Sequence, residues 1–227
     1  MHQIAKELYQ KLEAHSPETL SFLSELGKQI FFPKGILTQA AEANEKAKKF
    51  NATLGIATEN GGPMYFDCVH ENISLSPQEL YPYAPVTGLP QLRKIWKEYQ
   101  QKKNPTLKQK KVTSPIVTIG ITHGLSLCAD LFMDQNDTLL LPDKFWGNYN
   151  LIFAVRRNAK TETYNTFTKH GLDLRSFQTA LQKLSQTQKK ILIMFNFPNN
   201  PSGYQPTFYE VKELGNILTT TAQTGVK

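Results

Sequence analysis

One short stretch restricts this chain more than any other. Residues Ile191–Tyr204 read ILIMFNFPNNPSGY, an apolar run that stops abruptly in a polar, proline-rich corner. Ile191-Leu192-Ile193-Met194-Phe195, led in by Lys189 and Lys190, has the length and composition of a strand covered on both faces, as in parallel sheets. Asn196, Asn199 and Asn200 then mix with Pro198 and Pro201, and Gly203 follows. Proline fixes its own backbone angle, while Asn and Gly accept unusual ones. The segment therefore predicts a rigid loop at the carboxyl end of a buried strand. In open α/β sheets that edge is where ligands bind.

The rest of the chain fits such a sheet. Thr138-Leu139-Leu140-Leu141-Pro142 is a second buried-strand run, and Ala159–Tyr164 and Pro115–Gly120 are further strand candidates. Helical periodicity separates them. Leu89–Lys103 carries Pro90 in its first turn and an apolar stripe of Leu92, Ile95, Trp96 and Tyr99, predicting a helix with that face buried. A helix from His123-Gly124 to about Asp134 would bury Leu125, Cys128, Ala129 and Phe132. Leu172-Asp173 opens another, with Leu174, Phe177, Leu181 and Leu184 apolar. Thr207 caps a last one, Phe208–Thr221. Near the start, helices are expected over Ile4–Ala14, Glu18–Ile30 and Leu37–Phe50, with Phe31–Gly35 ending the second. A short strand is expected over Thr53–Ala57, then a turn-rich loop, Thr58–Pro63. Strands alternating with helices predict an α/β fold, a mainly parallel sheet with helices on both faces.

Composition removes several classes of function. Lys+Arg 26 against Asp+Glu 19 gives a formal charge of +7. The lysines lie on helix faces and in Lys102–Lys111, interleaved with Gln rather than aromatics, which predicts a solvated surface and no nucleic-acid site. No apolar run reaches the length of a membrane span and the start is no secretory signal, so a cytoplasmic protein without a membrane partner is expected. Cys68 and Cys128 stand far apart in apolar settings, predicting buried free thiols rather than a disulfide framework or metal site.

Asn200-Pro201-Ser202-Gly203 resembles the Asn-Pro-[Ser/Thr]-Gly motif of class I/II aminotransferases, which are fold-type-I pyridoxal-phosphate enzymes. The resemblance runs from Tyr83 to Tyr204. It implies that Asn200 donates to the phenolate oxygen of pyridoxal 5'-phosphate, where a neutral amide holds the charge and tunes the ring. Tyr83, in Tyr81-Pro82-Tyr83-Ala84-Pro85-Val86-Thr87-Gly88, resembles the tyrosine that reaches the cofactor phosphate of a neighbouring subunit, which implies a homodimer with shared sites. Arg93 is read as structural. Val117-Thr118-Ile119-Gly120 leading to Gly124 resembles the phosphate-binding turn and assigns the phosphate to Ile121, Thr122 and His123. The family often has Gly-Gly or Ser-Gly where this chain has Ile121-Thr122. Trp146 resembles the indole stacked on the pyridine ring, and Asn136 stands in a turn where the family has glycine. The residues alone leave other readings open: Tyr83 as a loop anchor, Thr122 as a helix cap, Trp146 as core.

The resemblance also implies residues this chain does not show. The Asp for the pyridine nitrogen, the Tyr for the phenolate, the Schiff-base lysine and the substrate-binding Arg all follow the Asn-Pro-Ser-Gly loop in the family. Here only Lys212 and Lys227 follow it, neither in the family's context. The expectation is an N-terminal helical arm, residues 1–52, and a partial cofactor-binding large domain, residues 53–227. The chain would be part of an aminotransferase acting on an amino acid and a 2-oxo acid, inactive by itself, with no catalytic residue assigned. The alternative is a non-catalytic remnant or interaction module with the same fold.

Overall fold

A computed structural model describes residues 3–30, 36–51, 53 and 57–227. Contacts divide the chain into two units, Met1–Phe31 with Ile119–Lys227, and Phe32–Thr118.

The first unit begins with helices α1 (Gln3–His15), α2 (Pro17–Ser21) and α3 (Glu25–Gln29). The single helix expected over Glu18–Ile30 is thus two. Ser24 breaks it: its backbone is extended and its side chain accepts from Gly27 N at 2.9 Å, starting a new helix.

The second unit contains α4 (Ile36–Lys46), strands β1 (Thr58–Glu59) and β2 (Gly62–Pro63), and helices α5 (Asp67–His70), α6 (Pro77–Leu80) and α7 (Pro90–Lys103). Most of the strand expected over Thr53–Ala57, and Phe31–Gly35, lie outside the described residues. The loop expected over Thr58–Pro63 is a hairpin, because Asn60 and Gly61 both take positive φ, the geometry of a two-residue turn. Arg93 is structural, as expected: Nε donates to Pro115 O at 2.6 Å and a terminal nitrogen to Thr87 Oγ1 at 2.8 Å. Two expectations fail here. Leu92, Ile95, Trp96 and Tyr99 are exposed rather than buried, since periodicity fixes which face of α7 is apolar but supplies nothing to cover it. Pro115–Gly120 forms no strand, because no neighbouring strand pairs with it, and Ile116, Val117 and Ile119 are exposed.

The rest of the first unit holds the core. Helix α8 (Gly120–Phe132) turns through Asp134–Asp137 into strand β3 (Thr138–Pro142), and Asn136 takes φ 70°, the left-handed angle that asparagine tolerates. A π-helical segment, Asn150–Val155, leads to β4 (Lys160–Tyr164). The hairpin β5 (Phe167–Thr168) and β6 (Gly171–Leu172) follows, then α9 (Leu174–Ser185), β7 (Leu192–Ile193) and α10 (Phe208–Gln223). The sheet order is β4-β3-β7 and both pairings are parallel. Every residue of β3 is buried. Leu139 and Leu141 pack on Ala129 and Met133 of the α8 segment and on Ile152 and Phe153. Leu140, on the opposite face, packs with Phe177, Leu181 and Leu184 of α9 and Leu214 of α10. The expected parallel sheet with helices on both faces is the observed core.

The run Ile191–Phe195 meets both clusters, with Leu192 and Met194 against the first and Ile191, Ile193 and Phe195 against the second, but Ile191 alone of the five is buried and the others are half-buried, short of the full burial expected. It is the outer strand of the sheet, and only Leu192–Ile193 pair. On its far side Lys227 N donates to Lys189 O at 2.8 Å and Ile191 N to Lys227 O at 2.9 Å. Lys227 therefore sits at the amino end of β7, the edge opposite the Asn-Pro corner. On α8, Cys128 and Phe132 are exposed and Ala129 and Met133 make the contact instead. Cys68 is exposed as well, so neither thiol is buried as expected; both are free.

Candidate cofactor site

Because β3 and β7 are parallel neighbours, their carboxyl ends open on one edge, and two loops meet there. The loop after β3 runs through Asp143-Lys144-Phe145-Trp146. The loop after β7 holds Asn196–Tyr204, with cis peptide bonds at Phe197-Pro198 and Asn200-Pro201. Asn199 joins them. Its side chain is buried, its amide nitrogen donates to Lys144 O at 3.2 Å, and its amide oxygen accepts from Ser202 N at 3.1 Å and Ser202 Oγ at 2.6 Å. With Asn199 turned inward, the next side chain, Asn200, is exposed.

Asp143 anchors the first loop. Its Oδ1 accepts from Thr166 N at 2.9 Å and Thr166 Oγ1 at 2.5 Å, its Oδ2 from Lys144 Nζ at 2.6 Å. Burial pushes this carboxyl up, but the Lys144 ammonium and the Thr166 donors outweigh it and bring it from 3.8 to about 2. A depressed carboxylate stabilises the fold above its unfolded value, and that stability drains as pH falls from about 5 toward 2. The Asp143 side chain is 36% exposed, which discounts the effect for solvent screening to about 1 kcal/mol. Asp143→Asn should therefore lower the urea midpoint at pH 7, by about half as much at pH 3, and leave it nearly unchanged at pH 2; equal losses at pH 7 and pH 2 would contradict this anchoring.

Trp146 is half-buried. It meets the Tyr149 ring edge-on at a centroid distance of 5.6 Å and packs on the cluster of Met133, Leu141 and Phe153. Tyr149 in turn bonds the Asn196 side chain, and burial of its ring raises the hydroxyl above its usual range. Leu125, one turn into α8, packs on the same cluster as Trp146. Helix α8 begins at Gly120, one turn before Leu125.

A side chain would have room at the start of that helix. Gly120 takes φ 72° and a Cβ there would meet nothing within 4 Å. Ile119, the N-cap, supplies no side-chain acceptor. Ile121, Thr122 and His123 are exposed in the first turn, and His123 Nδ1 accepts from Ile119 N at 3.1 Å. Thr122 lies within the helix and so is not its cap. The first-turn N–H groups of a helix have no intrahelical partner and sit at the positive end of its dipole, which suits an anion. Gly120 is the first glycine of the run that resembles the phosphate-binding turn, although sequence reasoning placed it at the end of a strand rather than at the start of the helix.

The Asn199 bond to Lys144 O thus brings the Trp146 loop and the Asn200 loop to one edge of the sheet, and α8 belongs to the same unit. Tyr83 belongs to the other unit and is fully exposed. A small hollow beside the edge is lined by Tyr164, Thr166, Met194, Phe195 and Asn199. A cleft of about 420 Å³ lies elsewhere, between β4 and α9, lined by Glu162, Asp173, Arg175 and Lys183. Among the described residues no His, Cys, Asp and Glu cluster could hold a metal ion.

The family model "Aminotransferase class I and II" matches residues 57–221. A probable aspartate/prephenate aminotransferase of Aquifex aeolicus is 30% identical over 144 residues, covering 63% of this chain and 34% of that protein. Aspartate aminotransferase of Geobacillus stearothermophilus is 27% identical over 138 residues, covering 60% and 33%. The chain therefore spans about a third of the length of these curated relatives. In fold, an aminotransferase from Anaerococcus prevotii superposes with TM-score 0.76 at 23% identity, covering 91% of this chain and 52% of that one. The cytoplasmic aspartate aminotransferase of Saccharomyces cerevisiae gives 0.69 at 18% identity, covering 91% and 50%. The matched span and the fold-type-I architecture beneath it place this chain in the class I and II aminotransferase family.

Proposed function

We propose that this chain is the cofactor-holding part of a pyridoxal-phosphate-dependent aminotransferase acting on an amino acid and a 2-oxo acid. The observation that carries the reading is the Asn199 bridge to Lys144 O, which locks the Asn200 loop against the Trp146 loop at one sheet edge. The residues present fit the cofactor's non-covalent grips. The first turn of α8, whose N-cap Ile119 offers no side-chain acceptor, suits the phosphate through the Ile121, Thr122 and His123 backbone and the Thr122 hydroxyl. Trp146 offers an aromatic face to the ring, and the exposed Asn200 amide a donor to the phenolate. When bound, the cofactor supplies an electron sink for amino-group transfer.

No lysine of this chain is assigned the covalent role. Lys227 is held at the opposite end of β7 and Lys144 is paired with Asp143. The chain alone is therefore expected to bind the cofactor weakly and to turn over no substrate. In the working enzyme we place Tyr83 on the phosphate of a partner subunit in a homodimer. A cytoplasmic location agrees with two exposed free thiols, which persist in a reducing compartment, and with the lack among the described residues of a helix long and apolar enough to cross a membrane. Pyridoxine 5'-phosphate, which lacks the aldehyde and cannot react with surface lysines, tests the grips directly. Asn200→Ala should weaken its binding about tenfold, as expected for a charge-assisted hydrogen bond. Unchanged affinity in equilibrium dialysis would remove Asn200 from the site.

A further inference from the structure

Glu210 is a buried carboxylate whose partners are all neutral. Its side chain accepts from Thr207 N at 2.7 Å and Thr207 Oγ1 at 2.9 Å, from Leu172 N at 2.6 Å, and from the Tyr204 hydroxyl at 2.9 and 3.0 Å. Burial pushes the carboxyl up, and these donors together bring it below its ordinary value. Capping α10 uses only the Thr207 contacts. The other two come from elsewhere, Leu172 from the β5–β6 hairpin and Tyr204 from the end of the Asn200 loop. Gly171 makes room for the junction, since a Cβ there would lie 2.4 Å from Glu210 Oε1 and 3.0 Å from the Tyr204 hydroxyl.

The loop itself is a closed turn. Asn199 N donates to Tyr204 O at 2.8 Å and Gly203 N to Asn199 O at 2.6 Å. Its first end is fixed by the Asn199 side chain on Lys144 O, its second by the Tyr204 hydroxyl on Glu210 and by the Tyr204 ring edge-on to Phe167 at 5.0 Å. Asn200 lies between these two anchors. Releasing either end lets the turn swing and changes the direction of the Asn200 amide without altering the amide itself.

We propose that Tyr204 and Glu210 are positioning residues for Asn200, and that the β5–β6 hairpin is the buttress against which they hold it. This rests on the reading of Asn200 as donor to the cofactor's phenolate oxygen. Tyr204→Phe isolates the link, because Glu210 keeps its Thr207 and Leu172 donors and α10 keeps its cap.

The test compares two ligands on the intact chain by titration followed in amide NMR: pyridoxine 5'-phosphate and its 3-deoxy analogue, which lacks the phenol. Tyr204→Phe should weaken the first about fivefold to tenfold, the scale of one hydrogen bond to a charged group, and leave the second unchanged. It should add nothing in an Asn200→Ala background. Equal weakening of both ligands, or wild-type affinity for both, overturns the proposal. If Asn200→Ala itself fails to separate the two ligands, the underlying site reading fails instead. Should Tyr204→Phe not fold, Phe167→Leu removes only the ring contact and is read the same way, with a smaller loss in the same direction.

Discussion

Gly171→Ala is expected to lower the free energy of unfolding by roughly 2–4 kcal/mol, from two costs that add. The backbone there takes φ 143°, which an L side chain resists, and the new methyl would drive into the Glu210 carboxylate. Displacing that carboxylate strands the Leu172 and Thr207 N–H groups it now satisfies. Gly225→Ala is the control. Its φ is 91° but a Cβ would meet nothing within 4 Å, so only the backbone cost of about 1 kcal/mol applies. Urea denaturation of both variants checks the difference, and equal losses would mean that the Glu210 junction contributes nothing.

Thr122→Glu is expected to have opposite effects on stability and on binding. The first turn of α8 carries no acidic residue, and a carboxylate there should stabilise the helix by about 0.3–1 kcal/mol through its dipole. The same carboxylate would occupy the place assigned to the phosphate and repel it, lowering affinity for pyridoxine 5'-phosphate by about a hundredfold or more. An unfavourable interaction of a few kcal/mol between like charges at close range has that effect. Thermal unfolding and dialysis on one preparation read both. A variant that is more stable and still binds would move the phosphate away from α8.

Residues whose environment is local, or set by a run of their own kind, were legible in the sequence. Thr138–Pro142 is buried throughout, as its composition demanded, and Asn136 takes the left-handed angle anticipated for it. Thr207 caps α10 through a reciprocal box with Glu210. The Asn-Pro corner lies at the carboxyl end of its strand. What depends on a distant partner was not legible. Ile116, Val117 and Ile119 have strand propensity, but propensity cannot supply the neighbouring strand. The apolar face of α7 is real, and its periodicity says nothing about what covers it. The second anchor of the Asn200 loop joins Leu172, Tyr204 and Glu210, which no local pattern connects. Only Gly171 and the Thr207-Glu210 spacing hinted at it.

The most direct measurement is an amide NMR map of the intact chain titrated with pyridoxine 5'-phosphate. Saturable shifts should gather at Ile121, Thr122 and His123, at the Trp146 indole N–H and at the Asn200 side-chain amide, and inorganic phosphate should reverse those on α8. Shifts that never saturate, or that gather on the lysine-rich face of α7 and leave Trp146 and Asn200 unmoved, would contradict the account.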